Sequence, residues 1–383
     1  MKILMVAIPN HHFFQWVNQL KDSGYKVYWL DANDDGVLSQ RIPWVTQIKS
    51  WKQKWNYPFR QTIKKAFPKL YNTIQNHNQN SLARVLEQSI INIKPDIIHC
   101  FEMQLTGFYI LPVIEKNNIP FMYSSWGSDV YYYKKRGTTD AEVKRFMNRV
   151  DVLISDCNRD VKALKTLDYN KTHYVHPGNG GLALDMHKVM LQKDRKLIIF
   201  KGYQFDSGEA LQVVKAIEIL PLELIKNLEF HVYSADKEVE AYIKNSKSIK
   251  QLSFVIHPRH KRLKHEDLLQ LMGKSIIHLG NNLSDGMPNS LLEAMGMGAF
   301  PIQSNPGGAT AEVIKHGVNG FLIENPLDIK AISKLIEAAL KNSELRKKAQ
   351  DYNIAFIENN YKRSILQPKI IQLYKDTFSH HKR

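Results

Sequence analysis

The chain has 383 residues, of which 43% are hydrophobic and 23% are charged, and this ordinary globular composition excludes a fibrous or wholly disordered protein. At about 100–200 residues per domain, the length suggests two domains or three small ones. Lys and Arg number 53 against 37 Asp and Glu, and the net charge of +16 favours an anionic partner: nucleic acid, an anionic membrane or a phosphorylated small molecule.

Cysteine content and hydropathy narrow the class of protein further. The two cysteines, Cys100 and Cys157, have no framework spacing, so a secreted disulfide scaffold is not expected. No window offers about 18 consecutive apolar residues, and the apolar start of the chain ends at Pro9 without a cleavage site. We therefore expect a cytoplasmic protein, and the positive charge is compatible with attachment to the inner face of the cell membrane.

Short apolar runs alternate with amphipathic segments from the start of the chain. A helix is predicted over residues 13–23, where Phe13, Trp16, Val17 and Leu20 share one face. The predicted strands of this first series are residues 3–8, 26–30, 96–101, 121–125, 152–155 and 173–175. Because strands alternate with helices, we predict a mostly parallel sheet covered by helices on both faces.

A Pro-Gly-Asn-Gly-Gly segment at 177–181 begins the best linker candidate, which extends to Arg195. A second α/β series follows. Its predicted strands are residues 196–201, 228–233, 253–256, 275–279, 300–303 and 321–323, and its helices include 209–220, 265–272, 290–297 and 329–341. We therefore predict two doubly wound halves of similar size. The tail is predicted to be a helix whose apolar stripe packs on the nearest domain or ties the two halves together.

The segment from Gly280 to Gly298 carries the clearest chemical signal. It places a polar, glycine-bearing loop between a strand and a helix, where open α/β sheets bind ligands. Gly286 permits close approach of the backbone, and free amides at the helix start favour an anion. Asp285 and Glu293 can accept hydrogen bonds from hydroxyl groups. Two structural interpretations stay open: Glu293 can close a capping box with Ser290, and Asp285 can be a turn residue.

The sequence Asp285-Gly-Met-Pro-Asn-Ser-Leu-Leu-Glu293-Ala-Met-Gly-Met-Gly298 resembles the signature E-G-x-P-x-x-x-x-E-A-x-x-x-G of family 4 glycosyltransferases, with Asp in the first position. Other segments are similar to the family's closing pattern and interdomain turn, namely Gly307-Gly308, Glu312, 317–322 and Asn179-Gly180. The resemblance implies the GT-B fold, in which two Rossmann-like domains face each other across a cleft. It implies an acceptor-side domain over 1–185, a donor domain over 186–360, and a C-terminal helix over 361–383 that crosses back toward the N-terminal domain.

The resemblance also implies what the site residues do. In the family, the second acidic residue of the signature grips the nucleotide ribose and the first faces the donor sugar, so these roles pass to Glu293 and Asp285. The other donor-binding residues are then Lys201, Gly202, Gly286, Met287, Pro288, Asn289, Ser290 and Leu291. The implied activity is a retaining hexosyltransferase of cell-surface polysaccharide biosynthesis, which moves a sugar from a nucleotide-diphosphate sugar to a glycan or lipid-linked acceptor.

The chain departs from the family at the diphosphate site. Tyr203 and Ser207 stand where the family has an Arg and a Lys that neutralise the diphosphate. Lys201 is the nearest substitute, although a lysine at a strand end is equally typical of a solvated position. Further candidates, from a run more typical of a solvated face, are Arg259, Lys261 and Arg262.

The first domain departs from the family as well. Pro9-Asn10-His11-His12 replaces its glycine-rich loop, and Trp126 replaces the histidine that often precedes a glycine after a later strand. We predict that His11 and Asp129 orient the acceptor or the donor sugar, and we group both with Asp285 as catalytic residues. Alone, each is more typical of a structural or surface residue. Front-face transfer, with the leaving diphosphate as base, does not require the missing histidine.

The sequence also bears on metal use. No Asp-x-Asp occurs anywhere in the chain, so there is no sequence support for a divalent ion that holds the nucleotide. Helix amides and cationic side chains can hold a diphosphate instead. We therefore predict metal-independent transfer, with no cofactor beyond the nucleotide-diphosphate sugar that serves as donor substrate.

Residues 36–86 contain no Asp or Glu but nine Lys and Arg residues, interleaved with Trp44, Trp51, Trp55, Tyr57, Phe59, Phe67 and Tyr71. Aromatic anchors beside cations favour peripheral contact with an anionic membrane, which would suit a lipid-linked acceptor. A basic segment whose aromatics pack inward is an equal alternative. Nucleic acid is disfavoured because no module signature occurs. The alternative function is a catalytically degenerate GT-B binding protein, attached to a membrane or nucleic acid through residues 36–86.

Overall fold

The computed structural model describes residues 1–34, 36–205, 208–261 and 263–381. Two positions singled out in the sequence, Ser207 and Arg262, lie outside the described residues. The strands and helices predicted above are present, and apart from the first helix and the tail helix their ends differ from the predicted ones by no more than two residues. The first helix begins at His11 because the Asn10 side chain accepts a hydrogen bond from the backbone N–H of His12 (2.9 Å).

The first sheet has seven parallel strands in the order β3-β2-β1-β4-β5-β6-β7. These are β1 (Lys2–Ala7), β2 (Lys26–Asp31), β3 (Thr46–Ile48), β4 (Ile97–Phe101), β5 (Phe121–Ser124), β6 (Val152–Ser155) and β7 (Thr172–Val175). The accompanying helices are α1 (His11–Val17), α2 (Arg60–Ala66), α3 (Pro68–Asn78), α4 (Leu82–Ile93), α5 (Phe108–Ile114), α6 (Ser128–Tyr131), α7 (Asp140–Arg149) and α8 (Asn158–Lys165). Both faces of the sheet are covered, because alternate residues of β1 enter two different apolar cores.

The second sheet has six parallel strands in the order β12-β11-β8-β13-β14-β15. The strands of this half are β8 (Leu197–Lys201), the short hairpin β9 (Gln204–Phe205) and β10 (Gly208–Glu209), then β11 (Glu229–Ala235), β12 (Ser253–Pro258), β13 (Ser275–Gly280), β14 (Phe300–Ser304) and β15 (Phe321–Ile323). Its helices are α9 (Ala210–Glu218), α10 (Leu222–Ile225), α11 (Lys237–Asn245), α12 (His265–Lys274), α13 (Asn289–Gly296), α14 (Ile329–Lys341) and α15 (Ser343–Asn360). The prediction of two doubly wound α/β halves is therefore confirmed.

The last helix, α16 (Arg363–His381), returns to the first domain. Its buried residues Leu366, Ile370, Leu373 and Tyr374 belong to the same apolar core as Ile3 of β1. The Tyr374 hydroxyl accepts a hydrogen bond from the indole N–H of Trp16 (2.9 Å) and lies 2.7 Å from His99 Nδ1. The crossing helix expected of a GT-B chain is therefore present. None of the described helices combines the length and the apolar character needed to cross a bilayer.

Candidate active site

A cavity of about 880 Å³ lies between the two sheets. Most of its lining residues follow the ends of β1, β5, β6 and β7 in the first domain, or the ends of β8, β11, β12 and β13 in the second. These are the carboxyl ends of parallel strands, where α/β sheets place their ligand sites. The cavity therefore has a first-domain wall and a second-domain wall, and each is described in turn.

The second-domain wall contains the loop that joins β13 to α13. Helix α13 begins at Asn289 directly after Pro288, and no described side chain caps its start. The amides of its first turn are therefore suited to an anion. Asp285 and Glu293, at the two ends of this segment, both line the cavity.

Each of these two carboxylates is held by a cationic or polar neighbour. Glu293 Oε1 lies 2.8 Å from His265 Nε2, and this hydrogen bond raises the pKa of His265. Asp285 Oδ2 accepts a hydrogen bond from the Asn282 side chain (2.7 Å) and lies 3.6 Å from Lys201 Nζ. Glu293 therefore points to the cavity rather than closing a capping box. Asp285 combines a turn contact, from the Gly286 amide (3.1 Å), with exposure to the cavity.

Two cations flank Tyr203 on the same wall. Lys201 Nζ and the Arg259 guanidinium each lie 4.3 Å from the centre of the Tyr203 ring, and all three residues line the cavity. Arg259 also pairs with Asp236 at 3.1 Å. The tyrosine that replaces the family's arginine thus orders two positive charges through cation–π contacts. Lys261, a further candidate in the sequence, is exposed and does not line the cavity.

The first-domain wall begins with the β1–α1 segment, which carries two neutral histidines. Burial, followed by the charge of Arg41, lowers the pKa of His11 to about 3, and burial lowers the pKa of His12. His12 Nδ1 lies 2.6 Å from the side-chain nitrogen of Asn289 on the opposite wall. Trp126 also lines the cavity, where the family often has a histidine.

The loop that bears Asp285 is fastened to the first domain. Arg159 Nη1 donates to the carbonyl oxygens of Asp285 (2.7 Å) and Pro306 (2.8 Å). In the opposite direction, the Glu312 carboxylate accepts the backbone N–H groups of Asn158 and Arg159, each at 2.9 Å, at the start of α8. Glu312 of the second domain therefore caps a helix of the first, and the two walls are positioned together.

The two halves of the chain each match a known protein family. Residues 2–157 match the family described as "Glycosyl transferase 4-like", and residues 185–356 match the one described as "Glycosyl transferases group 1". The chain belongs to the family 4-like glycosyltransferases. No curated protein matches the sequence of this glycosyltransferase.

Solved structures share the fold of this glycosyltransferase over its whole length. Sucrose-phosphate synthase from Thermosynechococcus elongatus is 15% identical, with a TM-score of 0.74 over 99% of this chain and 100% of the other. Anabaena Alr3699/HepE in complex with UDP-glucose is 14% identical, with a TM-score of 0.69 over 98% and 100%. A mutant of S. aureus TarM in complex with UDP is 10% identical, with a TM-score of 0.68 over 98% and 99%. At such identities the likeness establishes the GT-B fold.

The structure places most of the predicted site residues of this glycosyltransferase in one cavity. Those that line it are His11, Lys201, Asp285, Met287, Pro288, Asn289, Ser290 and Glu293. Three predicted donor-binding residues lie behind the cavity surface instead. Gly202 packs against Val232 and Ala235, Leu291 is fully buried in an apolar core, and the Gly286 backbone lies against the first domain.

Asp129 requires a correction, because it does not line the cavity. Its side chain is fully buried. Oδ1 accepts the backbone N–H of Trp126 (2.8 Å), and Oδ2 accepts the backbone N–H of Met103 (3.0 Å) and the Tyr123 hydroxyl (2.6 Å). Burial raises the pKa of Asp129 despite these bonds. Asp129 therefore shapes the turn that carries Trp126, and its own side chain does not face the cavity.

Sequence reasoning did not single out several polar cavity residues, among them Gln15, Asp156 and His265, and it counted Arg41 only within the basic stretch 36–86. Asp156 directly follows β6, so its position at a strand end was the available signal. Its carboxyl packs against Gly286, where an added Cβ would lie 2.2 Å from Oδ1, and the backbone amide of Met287 hydrogen-bonds to it. Burial and the charge of Asp160 raise the pKa of Asp156 well above its ordinary value.

One group in the described chain has metal-ligand chemistry. Atoms of Asp156, Cys157 and Asp160 lie within 4.8 Å of one another. Arg159 Nη2, however, pairs with Asp160 at 2.6 Å, and burial raises the pKa of the Cys157 thiol. A metal needs the thiolate form, and a guanidinium already neutralises one carboxylate. These residues therefore fit a divalent ion poorly.

Proposed function

We propose that this glycosyltransferase moves a hexose from a nucleotide-diphosphate sugar to a glycan or lipid-linked acceptor, with retention of configuration and without a metal ion, in cell-surface polysaccharide biosynthesis. One observation carries the proposal. Asp285 and Glu293 line the same cavity from the two ends of one loop-and-helix segment, beside the uncapped start of α13. The UDP-glucose held by Alr3699/HepE and the UDP held by TarM support a nucleotide-sugar donor.

Each group on the second-domain wall receives one part of the donor. Glu293 Oε1 is hydrogen-bonded to His265 Nε2, so Glu293 Oε2 remains free to accept a hydrogen bond from a ribose hydroxyl. Asp285 accepts from hydroxyls of the sugar. The first-turn amides of α13, together with Lys201 and Arg259, neutralise the diphosphate that the family's usual Arg and Lys would otherwise bind.

Transfer then follows the front-face course. The acceptor hydroxyl attacks C1 of the sugar on the face that the diphosphate leaves. The bond from C1 to the phosphate oxygen breaks, and that oxygen takes the proton of the attacking hydroxyl. Lys201 and Arg259 stabilise the charge that develops on the leaving diphosphate. Closure of the two domains over the bound donor would exclude water and so protect the donor from hydrolysis.

A donor panel tests the proposal. UDP-, GDP- and ADP-sugars are screened by thermal shift and by slow donor hydrolysis, since a ligand stabilises in proportion to ln(1 + [L]/Kd). We expect one nucleotide class to raise Tm and Glu293→Ala to abolish the shift. If no nucleotide sugar binds, the enzyme proposal fails and the degenerate binding protein replaces it.

Stereochemistry and metal use have their own tests. Proton NMR of the first product distinguishes retention from inversion, because the anomeric proton reports the configuration before any mutarotation. Turnover in excess chelator should equal turnover without it. An inverted product would refute the front-face course, and loss of turnover on chelation would refute metal independence.

We propose that the basic, aromatic residues 36–86 make peripheral contact with an anionic membrane. Phe59 is 77% exposed and Phe67 62% exposed at the two ends of α2, a helix with no buried residue. The exposed cations Lys64 and Lys65 lie on this helix. Not every cation of the stretch belongs to this surface, since Lys49 is buried in an ion pair with Asp31 at 2.8 Å.

Vesicle flotation at low salt tests this contact. We expect binding to vesicles that contain phosphatidylglycerol and little binding to pure phosphatidylcholine. The double substitution of Phe59 and Phe67 by Ser should weaken flotation, whereas Leu191→Ser, at an exposed leucine of the linker, should not. Equal flotation of all variants, or none at all, contradicts a membrane surface at α2.

A further inference from the structure

Helix α1 presents two side chains, one turn apart, that each hold an arginine from a distant segment. His11 Nδ1 lies 2.7 Å from Arg41 Nη2. The Gln15 side-chain oxygen accepts a hydrogen bond from Arg363, the first residue of α16. His11, Gln15 and Arg41 all line the cavity. We call these four residues, His11, Gln15, Arg41 and Arg363, the α1 cluster.

Neither guanidinium in the α1 cluster is neutralised. Arg41 contacts His11 and the ring of Phe14, whose centre lies 4.7 Å away. Arg363 bonds to Gln15 and to the Gly181 carbonyl (3.3 Å). All these partners are neutral, and no acidic side chain of the described residues pairs with either arginine. Arg41 is exposed at the cavity, and Arg363 is half-buried and donates to the cavity residue Gln15. A wall that presents a guanidinium with no carboxylate partner favours an anionic ligand.

His11 adds a hydrogen-bond donor to the α1 cluster and does not neutralise the charge of Arg41. A guanidinium has no acceptor, so His11 Nδ1 must accept from Arg41 and the ring proton must reside on Nε2. With its pKa at about 3, His11 remains a neutral N–H donor near pH 7. The α1 cluster therefore offers guanidinium and imidazole N–H donors without a carboxylate, which is the chemistry that binds carboxylate or phosphate oxygens.

We propose that the α1 cluster binds an anionic group of the acceptor, either the carboxylate of an acidic sugar or a phosphate, and so selects acidic acceptors. This inference rests on the proposed function. The donor diphosphate already has cations of its own, Lys201 and Arg259, on the second-domain wall. His11, Gln15 and Arg41 line the first-domain wall, where the acceptor of such a transferase is expected.

Binding of simple sugar probes tests the inference without knowledge of the natural acceptor. Methyl β-glucuronide, glucose 6-phosphate and the neutral methyl β-glucoside are titrated against the full chain by ligand-observed NMR. We expect one or both anionic probes to bind about tenfold more tightly than the glucoside, since charge-assisted hydrogen bonds to guanidinium groups are the stronger kind. The tighter anion identifies whether carboxylate or phosphate is preferred.

Two variants locate the effect. Arg41→Gln should remove most of the preference for the anionic probe, and Gln15→Glu should do the same by pairing Arg363 with an acid. Arg84→Gln, at an exposed arginine of α4, is the matched control and should keep the preference. Titration of UDP, GDP and ADP with each variant shows whether the donor site is intact.

Each alternative outcome overturns the inference. Equal binding of all three probes, or no binding of any probe by a protein that still binds nucleotide, means that the cluster is not an acceptor site for anions. If Arg41→Gln weakens nucleotide binding as much as probe binding, the guanidinium serves the donor diphosphate instead. If the wild-type protein binds none of the nucleotides, the proposed function itself is refuted. This outcome differs from failure of the anion-binding proposal alone, in which nucleotide binding persists.

Discussion

The two walls of the cavity treat charge in opposite ways. On the second-domain wall each cation has an acidic partner: Lys201 with Asp285 at 3.6 Å, His265 with Glu293 at 2.8 Å and Arg259 with Asp236 at 3.1 Å. On the first-domain wall, Arg41 has only neutral partners among the described residues. The partners of Arg363, which donates to Gln15 of that wall, are neutral as well. The contrast indicates that the second-domain wall is preorganised by ion pairs among its own residues. The first-domain wall has an unpaired cation, which an anionic ligand can neutralise.

Substitution of Glu293 has the largest expected effect on donor affinity and tests the second-domain wall, which we call the paired wall because its cations have acidic partners. Glu293→Gln keeps the shape of the side chain but removes its charge. Hydrogen bonds to a charged acceptor contribute roughly 1.5–3 kcal/mol, so donor affinity should fall about 10- to 100-fold. Isothermal titration with the donor that the panel identifies measures the change.

The control for that prediction is Glu223→Gln, at a glutamate whose side chain is 81% exposed and paired only with Lys226 in the described chain. Its donor affinity should equal that of the wild type. If Glu293→Gln binds the donor as tightly as this control, Glu293 is not a ribose ligand and the paired wall has been assigned the wrong role.

Asp129→Asn tests whether the first-domain wall depends on a buried carboxylate for its shape rather than for chemistry. The amide can accept for only one of the two oxygens, so at least one of the donors from Trp126, Met103 and Tyr123 loses its partner. We expect a loss of about 1–3 kcal/mol in the free energy of unfolding, measured with denaturant. Donor affinity of the folded variant should be unchanged, since the donor is assigned to the other wall.

The opposite pattern would restore Asp129 to the catalytic residues. A variant that unfolds at the wild-type denaturant concentration but has lost turnover would show that the carboxylate acts in the reaction. Asp140→Asn, at a half-exposed aspartate, controls for a general effect of removing a negative charge from this domain.

The His265–Glu293 pair gives the smallest effect, through pH. Its hydrogen bond raises the pKa of His265 above the ordinary value of 6.5, so the folded protein binds this proton more tightly than the unfolded chain does. The pair therefore stabilises fully below pH 6.5, and the contribution is lost as pH rises through the raised pKa. Because the His265 side chain is 39% exposed, we expect less than about 1 kcal/mol.

Thermal unfolding of wild type and His265→Gln between about pH 5.5 and about pH 8.5 measures this contribution, since histidine titrates in that range. The difference in Tm between the two proteins should shrink as the pH rises. A difference that stays constant over the range would show that the pair contributes packing but no charge.

The paired wall could be predicted from the sequence because its residues are close in the chain. Asp285 and Glu293 belong to one strand–loop–helix segment, so the spacing of a single motif places both at one cavity. The two sheets could be predicted for a similar reason, since each strand is a short apolar run whose signal is local. The crossing of α16 followed from the GT-B resemblance and the apolar stripe of the tail.

The first-domain wall could not be predicted in the same way. Arg41 lies in the basic stretch 36–86, where nothing local separates a cation that faces the cavity from one that faces solvent. Arg363 reaches α1 only because α16 crosses between domains. Asp129 shows the reverse error: its place after a predicted strand indicated a site, but three buried donors in the folded chain claim its carboxylate.

The central claim is that the second-domain wall alone holds the donor nucleotide. Its most direct test compares nucleotide binding by variants with one substitution in either wall. UDP, GDP and ADP are titrated by calorimetry into wild type, Glu293→Ala and Arg41→Gln. The account predicts that Glu293→Ala weakens binding of the preferred nucleotide at least about tenfold, whereas Arg41→Gln leaves it unchanged. Equal weakening by both variants, or no weakening by Glu293→Ala, would contradict it.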